Sequence, residues 1–139
     1  MPRSIAWRRL LVATLTASTL LSFHAPPAAA RTHVKDWVCD YQWRSGPRQV
    51  KRMIRCAARR WTVSGGPSKA VSVARCESNF KPRAYSDGNA GIYQQRVRYW
   101  RSRARKYGLR GASVYNARAN VIVSVRMAHA QGWGAWSCA

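Results

Sequence analysis

Apolar positions recur along this chain in short groups, most of them repeating at helical intervals. Val50, Met53, Ile54, Ala57 and Trp61 gather on one side of a helical projection, while Arg48, Lys51, Arg52, Arg55 and Arg59 fall mostly on the other. Ser45 stands where it could cap that helix, and Pro47 where its first turn would lie. Upstream, Trp37, Tyr41 and Trp43 form an aromatic stretch closed by the turn residues Ser45, Gly46 and Pro47. Gly65-Gly66-Pro67 then punctuates the chain as a turn inside one domain. Pro67 starts a shorter helix carrying Ala70, Val73 and Ala74 and stopping near Glu77, before a bend rich in Pro, Ser, Gly and Asn. Val97, Trp100, Ala104 and Tyr107 predict a further helix, with Gly108 as its C-cap and Arg98, Arg101, Arg105 and Lys106 outward.

The last group is different in kind. Asn116 is placed to cap a run in which Ala119, Val121, Ile122, Val123, Val125, Met127 and Ala128 leave little polar face, as in the central buried helix of a small domain, with Gly132 ending it. The β-branched residues of Val121 to Val125 keep a strand reading open. Flanking Ala, Arg and Met and the length of the segment favour helix. The expected fold class is therefore mainly α, with at most a minor β-hairpin.

The start of the chain reads as a secretory signal rather than as part of this domain. Three arginines and no acid in Met1 to Arg9 precede an apolar run from Leu10 to Phe23, too short to span a bilayer, and Ala28-Ala29-Ala30 offers small residues for cleavage before Arg31. Residues 31–139 are then expected to form one small domain, with 31–66 as its N-terminal helical part and 67–139 carrying the chemistry.

Export changes the meaning of the cysteines. In an oxidising compartment Cys39, Cys56, Cys76 and Cys138 read as two disulfides, with three pairings open. No Cys-x-x-Cys occurs, and His33 and His129 lack ligand spacing, so neither a metal nor another cofactor is expected.

Charge narrows the partners. The chain has 25 Lys and Arg against 4 Asp and Glu. Without the three leader arginines its formal charge falls from +21 to +18. That is far beyond what solubility requires and gives affinity for anionic polymers, whatever else the protein does. Export argues against nucleic acid as a physiological partner, so anionic wall or membrane polymers are expected to face the basic surface, with the protein a monomer.

The candidate chemistry starts from Glu77, the single glutamate of 139 residues. A carboxyl where a helix stops sits at the electronegative end of the macrodipole, a setting suited to a side chain that must hold a proton and donate it.

The surrounding residues also carry a resemblance. CESNFKPRAYS, followed by GIYQQ, YNARANVIVSVRM and GWGAWSC, resembles the lysozyme-like domain of soluble lytic transglycosylases and similar actinobacterial cell-wall lysins, and VARCES also resembles resuscitation-promoting factors. The family pattern is a catalytic Glu followed by Ser, an aromatic and Pro, then a Gly-x-x-Gln segment and an Asn-rich helix start. The resemblance implies a lysozyme-like fold with Glu77 as the catalytic acid. Ser78, Gln94 and Asn116 match the family's other functional positions. Beside them, Tyr93 or Tyr115 could contact the sugar face or hydrogen-bond to Glu77, and Trp133 is a further candidate for substrate contact. Two departures stand out: the segment between Ser86 and Gln94 is about one residue short, and Gln95 replaces an apolar residue. Among the pairings, Cys39 with Cys56 and Cys76 with Cys138 is favoured. It joins neighbouring N-terminal elements and ties the chain end to the glutamate helix, and similar proteins place a cysteine in both latter positions.

The acid inventory then limits the mechanism. Glycoside cleavage ordinarily uses two carboxyls. Asp36 and Asp40 precede the core, and Asp87 is most simply a turn residue of Ser86-Asp87-Gly88-Asn89. What remains is a one-carboxylate route, which the resemblance identifies with lytic transglycosylases acting between N-acetylmuramic acid and N-acetylglucosamine of peptidoglycan. Two alternatives stay open: a hydrolytic muramidase using Glu77 with Asp87, and a non-catalytic cationic binder of wall polymers. For Trp100, Trp133 and Trp136, core packing competes with sugar stacking and is favoured, Trp133 and Trp136 keeping the better chance of lining a groove.

Overall fold

The structure, a computed structural model, describes residues 34–139. The leader expected at residues 1–30 lies outside them. About half of the described chain is helical: a 3-10 turn at Trp43–Ser45, then α1 (Pro47–Arg60), α2 (Gly66–Ser78), α3 (Val97–Lys106) and α4 (Ala117–Gln131). Between α2 and α3 the chain makes a small antiparallel meander of β1 (Tyr85–Ser86), β2 (Asn89–Ala90) and β3 (Gln95–Arg96). Tyr85 pairs with Ala90 and Ser86 with Asn89, while Asn89 faces Arg96 and Ala90 faces Gln95. The fold is a small, mainly α domain closed by two disulfides.

α4 lies at the centre. Ala117, Ala119, every residue from Asn120 to Val125, Met127 and Ala128 are buried, because α1 covers one side and α3 another. The strand alternative at Val121 to Val125 is excluded. The Asn116 side chain accepts from the Ala119 N–H at 3.0 Å, the expected cap. α1 uses its predicted apolar face, with Val50, Met53, Ile54 and Ala57 all but inaccessible. Its start is one residue later than expected: Ser45 ends the 3-10 turn and makes no cap bond, and Gly46, at φ 113, holds the N-cap position. That conformation is open to glycine at little cost, and Pro47 then supplies the first helical residue.

The disulfides join Cys39 to Cys56 and Cys76 to Cys138. Their sequence separations of 17 and 62 correspond, in the chain-entropy account, to about 3 and about 4 kcal/mol of stabilisation. For a domain of this size that is a large share of the total.

Candidate functional site

The site is built where α2 stops. Ala70, Val71, Val73 and Ala74 bury one side of α2, leaving its last turn, Arg75 to Ser78, at the edge of the core. Asn79 (φ 51) caps it in the left-handed region, returning its N–H to Arg75 O, and Phe80 (φ 64) follows in the same region. Two successive left-handed non-glycine residues are uncommon and turn the chain sharply. Phe80 is thereby buried and Glu77 is left partly exposed. Oε1 of Glu77 accepts the backbone N–H of Cys138 at 3.3 Å.

That contact depends on how the C-terminal segment is anchored. Trp133 and Trp136 are buried in one aromatic cluster with Tyr93, at ring-centroid distances of 5.9, 6.3 and 5.1 Å. The Trp133 indole N–H donates to Ser64 O at 3.0 Å, and that of Trp136 to Tyr93 O at 2.9 Å. With both indoles fixed, the following residues reach Cys76, where the disulfide closes beside Glu77. Two tryptophans, a disulfide and one backbone N–H therefore position a single carboxyl.

The turn from Gly91 to Gln94 is joined to the end of α2. Ser78 Oγ donates to Ile92 O at 2.7 Å and ties the end of α2 to this turn. From the other side the buried Asn120 of α4 accepts the Tyr93 N–H at 2.8 Å and donates to Ala90 O and Val114 O. Gly91 is required there: at φ +80, a Cβ would stand 2.3 Å from Asn120 Nδ2 and 2.7 Å from Val114 O. Gln94 takes a positive φ of 44 with its Nε2 donating to Gly91 O at 2.9 Å, which leaves its Oε1 without a partner among the described residues.

These placements correct several expectations. Tyr93 is wholly buried and its hydroxyl donates to Ala70 O at 2.8 Å, so it neither faces a sugar nor bonds to Glu77. Burial pushes its phenol well above the usual range. For the tryptophans the favoured reading, core packing, holds: Trp133 is a core residue with its N–H committed, which removes it as a substrate contact, and so is Trp100, which donates to Ala112 O at 2.7 Å. Trp136 is buried too, although it helps to line a hollow of about 280 Å³ with Gln94, Tyr99 and Arg103. Ser78 serves as a clasp through its hydroxyl. Tyr115 is exposed, and with Asn116 it lines a separate hollow of about 520 Å³ that does not include Glu77. Asp87, at φ 46, is exposed and sits with Gly88 in the two-residue turn between β1 and β2, where its Oδ2 accepts from Ser86 Oγ at 3.1 Å. This is the Asp-Gly hairpin chemistry read from the sequence.

Gln95, the departure from the apolar residue of the resembling pattern, has a structural reason. It is 2 % exposed, donates to Ser124 Oγ at 2.8 Å, and its Oε1 accepts from Arg103 at 2.7 Å. Burial lowers the Arg103 guanidinium from its ordinary value, with Tyr99 and Tyr107 opposing. What the sequence did not show was this wiring of α4 to the turn, since Asn120 and Ser124 look like minor interruptions of an apolar run.

Among the described residues no group of three or more His, Cys, Asp or Glu side chains stands together as metal ligands would. Comparisons with family models, curated proteins and solved structures gave no match to this chain.

Proposed function

We propose that this protein is a secreted, lysozyme-like enzyme that cleaves the glycan strands of peptidoglycan by a single-glutamate lytic transglycosylase mechanism. The observation that carries the reading is the setting of Glu77. The one glutamate of the chain is held at the end of α2 by a disulfide and a backbone N–H, with only Oε1 engaged among the described residues. Asn79 and Phe80, directly after Glu77 and Ser78 in the chain, both take left-handed backbone, and such strain is concentrated at functional sites.

In this mechanism Glu77 first protonates the glycosidic oxygen between N-acetylmuramic acid and N-acetylglucosamine. As a carboxylate it then takes the proton from the muramic C6 hydroxyl, which attacks C1 of its own ring and closes a 1,6-anhydro product. An intramolecular nucleophile needs no second carboxyl to position water, which agrees with Asp87 being held in a hairpin turn. Gln94, whose Oε1 is without a partner among the described residues, is suited to accept an acetamido N–H.

Purified sacculi test the reading. The wild type should release muropeptides with 1,6-anhydro ends, Glu77→Gln should release none above background while keeping its fold, and Asp87→Asn should retain most activity. Reducing ends together with a folded but inactive Asp87→Asn would replace this mechanism with a two-carboxylate muramidase. Lysis by Glu77→Gln equal to that of the wild type would remove Glu77 as the acid.

A further inference from the structure

Among the described residues four arginines donate hydrogen bonds to protein oxygens, and the others, Arg44 and Arg83 among them, donate none. Arg96, Arg103, Arg118 and Arg126 donate to protein oxygens: Arg96 to Asp87 O, Arg103 to Gln95 Oε1, Arg118 to Val38 O and Lys35 O, and Arg126 to Tyr107 O. They hold segments together. Arg44 and Arg83 are exposed and donate to no described residue, yet both line the same two hollows, of about 520 and about 660 Å³. The hollows share Trp43, Arg44 and Arg83, so they form one trough between the start of α1, the loop after α2 and the loop before α4.

The chemistry of the trough is specific. Three cations line it, Arg44, Arg83 and Lys81, and no acid does. The Arg44 guanidinium carbon lies 4.2 Å from the Trp43 ring centroid, a cation–π contact. At one end Tyr115 presents a ring that is 39 % exposed, and Ser113 and Asn116 add small polar groups. At the other end the wall includes Asn79, two residues past Glu77. Guanidinium forks in a hollow that also presents an aromatic ring suit a ligand that is itself an apolar ring face bearing a planar anion. A small free anion would fill little of this space.

We propose that the trough binds a glycan carrying carboxylates, with Tyr115 against a sugar face and Arg44 and Arg83 pairing with the acid groups. The proposal rests on the preceding reading for the glycan and on the trough for its charge. In peptidoglycan the carboxylate has two sources, the lactyl group of the muramic residue once its peptide is removed and the free acids of the stem peptide. Both present the same planar anion beside a ring.

Calorimetry on the disulfide-bonded chain carrying Glu77→Gln, so that nothing is cleaved, tests this. The ligands are stem-bearing glycan fragments, the same fragments stripped of stems, and neutral chitin oligosaccharides of equal length. Carboxylated fragments should bind roughly tenfold or more tighter than neutral ones, and Arg44→Gln with Arg83→Gln should remove that difference. Tyr115→Ala should weaken all three ligands. Tighter binding of stem-bearing fragments assigns the stem acids, tighter binding of stripped ones assigns the lactyl group, and equal binding assigns both. Equal affinity for neutral oligosaccharides, an unchanged preference in the folded double variant, or stronger binding of poly(glycerol phosphate) at the same residues overturns the proposal. The two readings fail separately. A wild type that lyses sacculi while the double variant binds normally removes the trough alone, and charge-dependent binding without any lysis removes the catalytic reading alone.

Discussion

α1 and α4 have nearly the same length, 14 and 15 residues, and contrast in where they keep their polar atoms. α1 keeps them outside: Arg48, Arg52, Arg55, Arg59 and Arg60 are exposed over a buried apolar face. α4 keeps two of them inside, Asn120 and Ser124, both inaccessible to solvent and both bonded to the segment from Ala90 to Gln95. The buried amide specifies where the site turn sits, because each unmade bond in that environment would leave a desolvated polar group. The exposed guanidinium groups of α1 donate no hydrogen bond to the rest of the described chain. The same residue class thus positions the site when it is buried and sets the surface field when it is exposed.

The largest expected effect comes from breaking the buried side of this contrast at its tightest point. Gly91→Ala combines a left-handed backbone with a Cβ driven into Asn120 and the Val114 carbonyl. Neither neighbour is the end of a long flexible chain, so the loss should be on the order of 3–5 kcal/mol. Chemical denaturation would measure it. A loss below about 1 kcal/mol would mean that the turn relaxes away from α4 and that Asn120 does not fix it.

Asn120→Ala approaches the same contact from the helix. It leaves the Tyr93 N–H and the carbonyls of Ala90 and Val114 without their partner, for an expected loss of about 2–3 kcal/mol. Under the proposed function, lytic activity should fall further than stability alone explains, since the turn bearing Gln94 is released. Retained activity in the folded variant would separate the turn from the site.

Tyr93→Phe sharpens the contrast by pH. Its hydroxyl bond to Ala70 O is worth about 1 kcal/mol. Burial holds the folded-state pKa above the unfolded value of about 10, so this contribution is intact below pH 10 and is lost as pH rises past it, where only the unfolded chain releases the proton. The wild type should therefore lose stability above about pH 10 more steeply than Tyr93→Phe. Parallel alkaline curves would contradict the assignment of that loss to Tyr93.

The same contrast explains what the sequence disclosed. α1 was legible because its polar residues follow the helical period, and α3 because Trp100, Ala104 and Tyr107 do so, although Val97 of the same expected face is exposed and Tyr107 rather than Gly108 holds the C-cap. Asp87-Gly88 announced its turn and Asn116 its cap, since both act on adjacent backbone. Tyr93, Trp133 and Trp136 were harder, because an aromatic that lines a groove and one that fills a core have the same local sequence. Only the distant partners Ala70 O, Ser64 O and Tyr93 O decide between them. The trough was not legible as a unit, although Tyr115 and Asn116 at one end of it were candidates from the sequence. It is assembled from Trp43 and Arg44, the loop after α2 and the loop before α4, segments remote in sequence that carry no common motif.

The smallest effect on the fold is expected on the exposed side of the comparison, at Arg48 and Arg55 of α1. Arg48 is a cation in the first turn of a helix that has no acid there, a placement the macrodipole disfavours. Arg55 and Arg59 are like charges four residues apart, a repulsion of a few tenths of a kcal/mol. Replacing Arg48 and Arg55 by Gln should therefore change stability by less than about 0.5 kcal/mol, in the stabilising direction. Adsorption to purified walls should nevertheless weaken and lose part of its salt dependence, because exposed charges act through a field screened within about 8 Å at physiological ionic strength. If the double variant is destabilised by more than 1 kcal/mol, the outer face of α1 holds the fold after all and the contrast with α4 fails. If adsorption is unchanged, the charge that binds the wall lies elsewhere, and Arg44 and Arg83 in the trough become the residues to replace next.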